Sequence, residues 1–138
     1  MSEGVLTLDE AGIFGEFEPA ERRWIQALYE LPVPVVVADK SSRITVFNPE
    51  MQDLLSIDPR RIPDLEPWEI FRTYETHGTK TTMAERTREA GEPIRGIETE
   101  LLGHDDTEHD VVISSTPMYD ASGEITGTVT AMRDVTEL

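Results

Sequence analysis

The chain has 138 residues and carries 28 Asp and Glu against 12 Lys and Arg, a net charge of −16 with a pI near 4.4, and no cysteine. One domain of that length buries roughly two-thirds of its unfolded surface, so a second independent core is not expected; the charge disfavours nucleic-acid phosphates and anionic lipid, and the missing thiols exclude disulfides, thiolate metal sites and cysteinyl cofactor adducts. Only Lys40 and Lys80 are lysines. Acidic, lysine-poor chains resemble proteins from cells with molar internal salt, so a halophilic character, with stability rising with salt, is expected.

Residues 1–17 are acidic and punctuated by Gly4, Gly12 and Gly15, which reads as an N-terminal tail. A flanking helix is expected over 18–31, with Pro19 in its first turn and Pro32 and Pro34 ending it. Trp24, Leu28 and Leu31 recur at spacings of four and three, with Ile25 and Tyr29 widening the stripe. Such a stripe packs either on its own sheet or on a second copy of the chain, and the second case makes it the contact of a homodimer.

Val35–Asp39 and Arg43–Phe47 are β-rich runs joined by a short polar link, the pattern of an antiparallel hairpin. Asn48, Pro49 and Glu50 then supply an N-cap, a proline at the first helical position and an early acid, with Met51, Leu54 and Leu55 on one face. Pro59, Pro63 and Pro67 break residues 56–78 into short helical turns around Trp68, Ile70, Phe71 and Tyr74. Thr81–Ala90 reads as a helix with Gly91 at its C-cap. Ile94–Leu102, Val111–Tyr119 and Ile125–Arg133 read as three consecutive strands, the last two separated by a turn at Asp120–Gly123.

Catalytic motifs are missing: there is no glycine-rich phosphate loop, no His-Glu-x-x-His and no Gly-x-Ser-x-Gly. The chain therefore reads as a binding module and not an enzyme. His104, Asp105, Asp106, Glu108 and His109 are dense in metal-ligand types, but their spacing matches no ligand motif and reads as a solvated acidic turn, so no metal is expected. Val35–Asp39 could also open a receiver domain. That fold requires parallel strands alternating with helices, whereas the C-terminal strands here come consecutively.

The N-terminal strand–turn–strand followed by Asn48-Pro49-Glu50 resembles the opening of a PAS domain. Gly91-Glu92-Pro93-Ile94-Arg95-Gly96, the late strands and Arg133-Asp134-Val135-Thr136-Glu137 resemble its second half. The resemblance covers about residues 20–138. It implies an α+β fold: a PAS-like five-stranded antiparallel sheet with helices packed on one face and an N-terminal flanking helix. The domain proper would span 32–138, ending at an exit-helix junction. The implied role is sensory input to a cytoplasmic signal-transduction protein, such as a sensor histidine kinase or related regulator of a two-component system. The sequence stops two residues after Thr136, so the downstream output domain is expected in the parent chain. The alternative is a PAS module used only for dimerisation or partner docking, without ligand.

PAS domains enclose a cavity between the sheet and the middle helices. Its expected walls here are Phe47, Met51, Leu54, Trp68, Phe71, Tyr74, Met83, Val111, Ile113, Ser115, Thr128, Thr130 and Met132. Hydroxyl residues stand in the late strands where branched aliphatics would pack better, which leaves room and hydrogen-bonding groups for a guest. Aromatic and methionine walls suit a small planar organic ligand. The cofactor stays unknown. A cysteinyl flavin is excluded, and His77, His104 and His109 stand outside the long middle helix from which an axial haem ligand commonly comes. Asp134 and Thr136 form the Asp-x-Thr signature at the end of PAS sheets and are expected to relay the signal by fixing the exit angle. No nucleic-acid partner and no membrane insertion are expected.

Overall fold

The computed structural model describes residues 19–73 and 81–136, with side chains from Arg23 onward. The expected tail over 1–17, Tyr74 and His77 lie outside the described residues. In chain order the elements are α1 (Pro19–Tyr29), β1 (Val35–Asp39), β2 (Ile44–Phe47), α2 (Pro49–Leu55), a 3-10 turn (Pro59–Asp64), α3 (Pro67–Ile70), β3 (Arg72–Thr73), α4 (Met83–Ala90), β4 (Ile94–Leu102), β5 (Glu108–Tyr119) and β6 (Ile125–Asp134).

The strands form one curled sheet in the order β2-β1-β6-β5-β4-β3, and each pairing is antiparallel. This disposes of the receiver alternative. The sheet has six strands where five were expected, because Arg72 and Thr73 pair with Leu102 and Leu101 and extend the edge beyond β4. Two residues among prolines and short helical turns carry no period that could mark a strand in advance.

Around β1 both sheet faces are covered. On the inner face, Val36, Phe47, Met51, Leu54, Leu55, Ile70, Phe71, Met83, Leu101, Val111, Ile113 and Met132 share one core with the middle helices. On the outer face, Ile25 of α1 packs with Val35, Val37 and Val46, and Leu28 and Tyr29 lie against the same cluster. Burial of β1 on both faces explains its unbroken apolar run. The stripe of α1 is centred on Ile25, which is 2% exposed, and it leaves Trp24 and Leu31 each 39% exposed.

The ladders shift register at three places, between Val37 and Ala38, Ile94 and Ile97, and Met118 and Tyr119. Val37 pairs with Val46 but Ala38 pairs with Ile44, so the strict alternation of β2 breaks between them. Ile44 therefore packs against the inner core while Val46 joins the outer one. In β4 the register slips between Ile94 and Ile97, where Gly96 takes φ +68 and donates its N–H to Ser114 Oγ at 3.0 Å. Gly127 of β6 approaches β1 so closely that a Cβ there would lie 2.3 Å from the Ala38 carbonyl oxygen.

Candidate functional site

A cavity of about 40 Å³ lies between the inner sheet face and the start of α4. Val36 and Ala38 of β1, Ile44 of β2, Ile113 of β5 and Thr128, Thr130 and Met132 of β6 form its sheet side. Ser42, Pro67, Phe71, Thr73, Thr82, Met83 and Ala84 close it from the hairpin turn and the helices. That volume has room for roughly three water molecules.

Strand alternation explains the sheet wall. Thr128, Thr130 and Met132 project to one face of β6, and Met132 pairs across with Ile113. Thr130 Oγ1 and Ser115 Oγ hydrogen-bond at 2.9 Å in the buried layer. Thr82 caps α4, its hydroxyl accepting the Glu85 N–H at 3.3 Å. At the other end of α4, Gly91 takes φ +70 as C-cap and its carbonyl accepts the Tyr119 hydroxyl at 2.6 Å. Arg88 donates to Ser42 Oγ and to the Lys40 carbonyl, tying the helix that roofs the cavity to the β1–β2 turn.

Phe71, Met83, Ile113, Thr128, Thr130 and Met132, all expected from the sequence, come together at this cavity. Phe47, Met51, Leu54 and Val111 sit in the surrounding core, with the Phe47 ring 6.0 Å from that of Phe71. Ser115 reaches the cavity only through Thr130. Trp68 lines a separate open groove of about 660 Å³ outside the cavity, together with Arg43, Ile62, Leu65, Glu66 and Glu85. Groove and cavity share Ser42, Ile44 and Pro67.

Val36, Ala38, Ser42, Ile44, Pro67, Thr73, Thr82 and Ala84 were not anticipated. Alternation along β1 could have found Val36 and Ala38, because one face of that strand had to look inward. Nothing in the sequence signals that a bulge turns Ile44 toward the cavity.

The other candidate residues have local partners. A His104 ring nitrogen lies 3.0 Å from the Ile70 carbonyl oxygen, and Asp105 accepts from the Thr107 amide and hydroxyl. Among the described residues no three His, Asp or Glu side chains come together as a metal site.

At the end of β6, Asp134 Oδ1 accepts the Thr136 N–H at 3.0 Å and also the Thr136 hydroxyl, while Oδ2 lies 2.9 Å from His109 Nδ1. Thr136 Oγ1 in turn accepts the Asp110 N–H at 3.0 Å, and the Val135 N–H reaches the Asp110 carbonyl. The junction is thus sewn to the first residues of β5. Partial burial pushes the Asp134 carboxyl up, but the hydrogen bonds from Thr136 and then His109 outweigh it and hold the group below the ordinary carboxylate value.

A family profile described as PAS fold matches residues 28–138. No curated protein sequence matches the chain. Among solved structures, the PAS domain of a Colwellia psychrerythraea protein is similar at 17% identity, with a TM-score of 0.67, covering 86% of this chain and 99% of that one. The PAS domain of Bordetella pertussis BvgS is similar at 18% identity and a TM-score of 0.56, covering 86% and 87%. The VqmA dimer of Vibrio cholerae is similar at 20% identity and a TM-score of 0.62, covering 83% of this chain and 52% of VqmA, so the likeness spans about half of that receptor.

Proposed function

The chain belongs to the PAS fold family, and on that premise we propose that it is the sensory input module of a cytoplasmic signal-transduction protein, a sensor histidine kinase or related regulator. It binds a small molecule in the cavity under α4 and passes occupancy to an output domain through Asp134 and Thr136. The supporting observation is that one strand does both jobs. Thr128, Thr130 and Met132 of β6 line the cavity, and two residues beyond Met132 stands Asp134 of the junction. A guest that displaces Met132 strains the strand whose end sets the exit direction. The similar receptor VqmA has been solved bound to DPO.

At about 40 Å³ the cavity is far below the roughly 300 Å³ of a drug-sized site. A planar aromatic guest therefore requires Met83 and Met132 to swing aside, which their flexible thioether chains permit. Native mass spectrometry of the purified domain tests the reading. A retained small molecule, or one whose addition raises the melting temperature, is the expected result; an empty protein that no compound stabilises overturns it.

The docking alternative has its own support in the half-exposed Trp24 and Leu31 and in Leu28 beside them. These residues would form the homodimer contact. A dimer without ligand in the same spectra, reduced to monomer by Trp24→Asp, favours that reading.

A further inference from the structure

The cavity carries a chemical bias that the rest of the chain does not share. In a protein with 28 acidic and 12 basic residues, none of the described residues lining it is ionisable. The α4 N-terminus, which would otherwise favour an anion, is answered by its own cap: Thr82 takes the Glu85 amide, and Glu85 places a carboxylate in the first turn. The approach is acidic as well, since the adjoining groove carries Asp39, Glu66 and Glu85 against Arg43, which already pairs with Asp39 at 3.2 Å.

One polar group in the wall is free. Thr128 is 2% exposed, and its hydroxyl has no hydrogen-bond partner among the described residues, whereas the Thr130 hydroxyl is held by Ser115 and that of Thr82 by Glu85. That hydroxyl borders the cavity, where a guest's polar group can take the place of water on it.

We propose that this site selects an uncharged molecule with one hydrogen-bonding group, which meets the Thr128 hydroxyl, and rejects carboxylates of the same shape. The proposal rests on the ligand-binding reading above and adds the ligand's class to it. An ionised carboxylate entering here would lose its hydration with no cation among the described lining residues to replace it. An amide or alcohol of equal size loses far less and gains Thr128.

Isobutyramide and isobutyrate share a shape and differ in charge, so they separate the two cases. Each is titrated into protein carrying ¹³C-labelled methionine methyls, and Met83 and Met132 are followed by NMR. Saturable shifts with isobutyramide are expected, with at least a roughly tenfold weaker response to isobutyrate. Thr128→Val keeps the side-chain shape and should weaken isobutyramide roughly three- to tenfold, while Thr128→Ser, which keeps the hydroxyl, should stay within about twofold. The melting temperature of each variant verifies folding. Equal binding of isobutyrate, or failure of both probes to move either methyl, overturns the proposal and leaves the sensory reading to the mass-spectrometric test. An unchanged affinity in Thr128→Val overturns the assignment to Thr128.

Discussion

Asn48 uses its whole hydrogen-bonding capacity in a fully buried position. Its Oδ1 accepts from the Met51 N–H at 3.0 Å and the Val35 N–H at 2.9 Å, and its Nδ2 donates to the carbonyls of Val33 and Leu31. One side chain therefore caps α2, starts β1 and holds the link from α1. Asn48→Ala removes the cap and leaves buried backbone groups unpaired, so a loss of about 2–4 kcal/mol is expected from denaturant midpoints at constant m. Asn48→Asp should cost at least as much, because it sets an oxygen against two carbonyl oxygens; a variant as stable as the parent would refute the account. Asp39 and Asp120 work by a simpler rule. Each carboxylate collects backbone amides two and four residues on, from Ser41 and Arg43 in one turn and from Ser122 and Glu124 in the other. Each turn closes on a left-handed residue, Ser42 at φ +66 or Gly123 at φ +86.

Among the elements, β6 is central to both the fold and the proposed signal. It pairs with β1 on one side and β5 on the other, lines the cavity and ends in the Asp134 junction. The junction has a pH dependence whose sign follows from Asp134. Its folded carboxyl lies below the ordinary value, so its contribution is complete above the unfolded pKa near 3.9 and is lost as pH falls through the lower folded value. Asp134→Asn keeps an acceptor for Thr136 but loses the charge. We expect the variant to melt a few degrees below the parent at neutral pH, with the gap closing below about pH 4. Melting curves across that window check it, and a gap that widens on acidification contradicts it. Asp105 and Asp120 are also held low, by bonds from Thr107 and from Ser122 and Glu124 respectively, so the turns they organise loosen in the same acid range.

For the molecule as a whole, charge dominates. Even if every basic residue found an acid, the net of −16 would stand, and like charge on a compact body weakens it. Raising salt from about 0.1 M to 1 M shortens the screening length from roughly 10 Å to 3 Å. Stabilisation on the order of 1 kcal/mol is expected, read as a rise of about 3–5 °C in melting temperature in molar KCl. A flat or falling melting temperature removes the inference. Among the described residues no helix is long and apolar enough to cross a membrane.

Features governed by a few neighbouring residues were legible in the sequence itself. The Asn48 cap followed by Pro49, the Asp120–Gly123 turn, the Gly91 C-cap and the three late strands depend on local backbone chemistry and short-range periodicity, and they stand close to where those rules put them, except that β5 begins at Glu108, three polar residues before the expected Val111. Tertiary structure alone decided how faces were shared out. Ile25 and not Trp24 became the buried centre of α1, a bulge turned Ile44 inward, and β3 arose because Arg72 and Thr73 met the edge of β4. Cavity membership followed the same way. Phe47 and Met51 were as apolar as Phe71 and Met83, but which of them touches empty space depends on sheet curl and helix placement, and those are set by the packing of the whole chain.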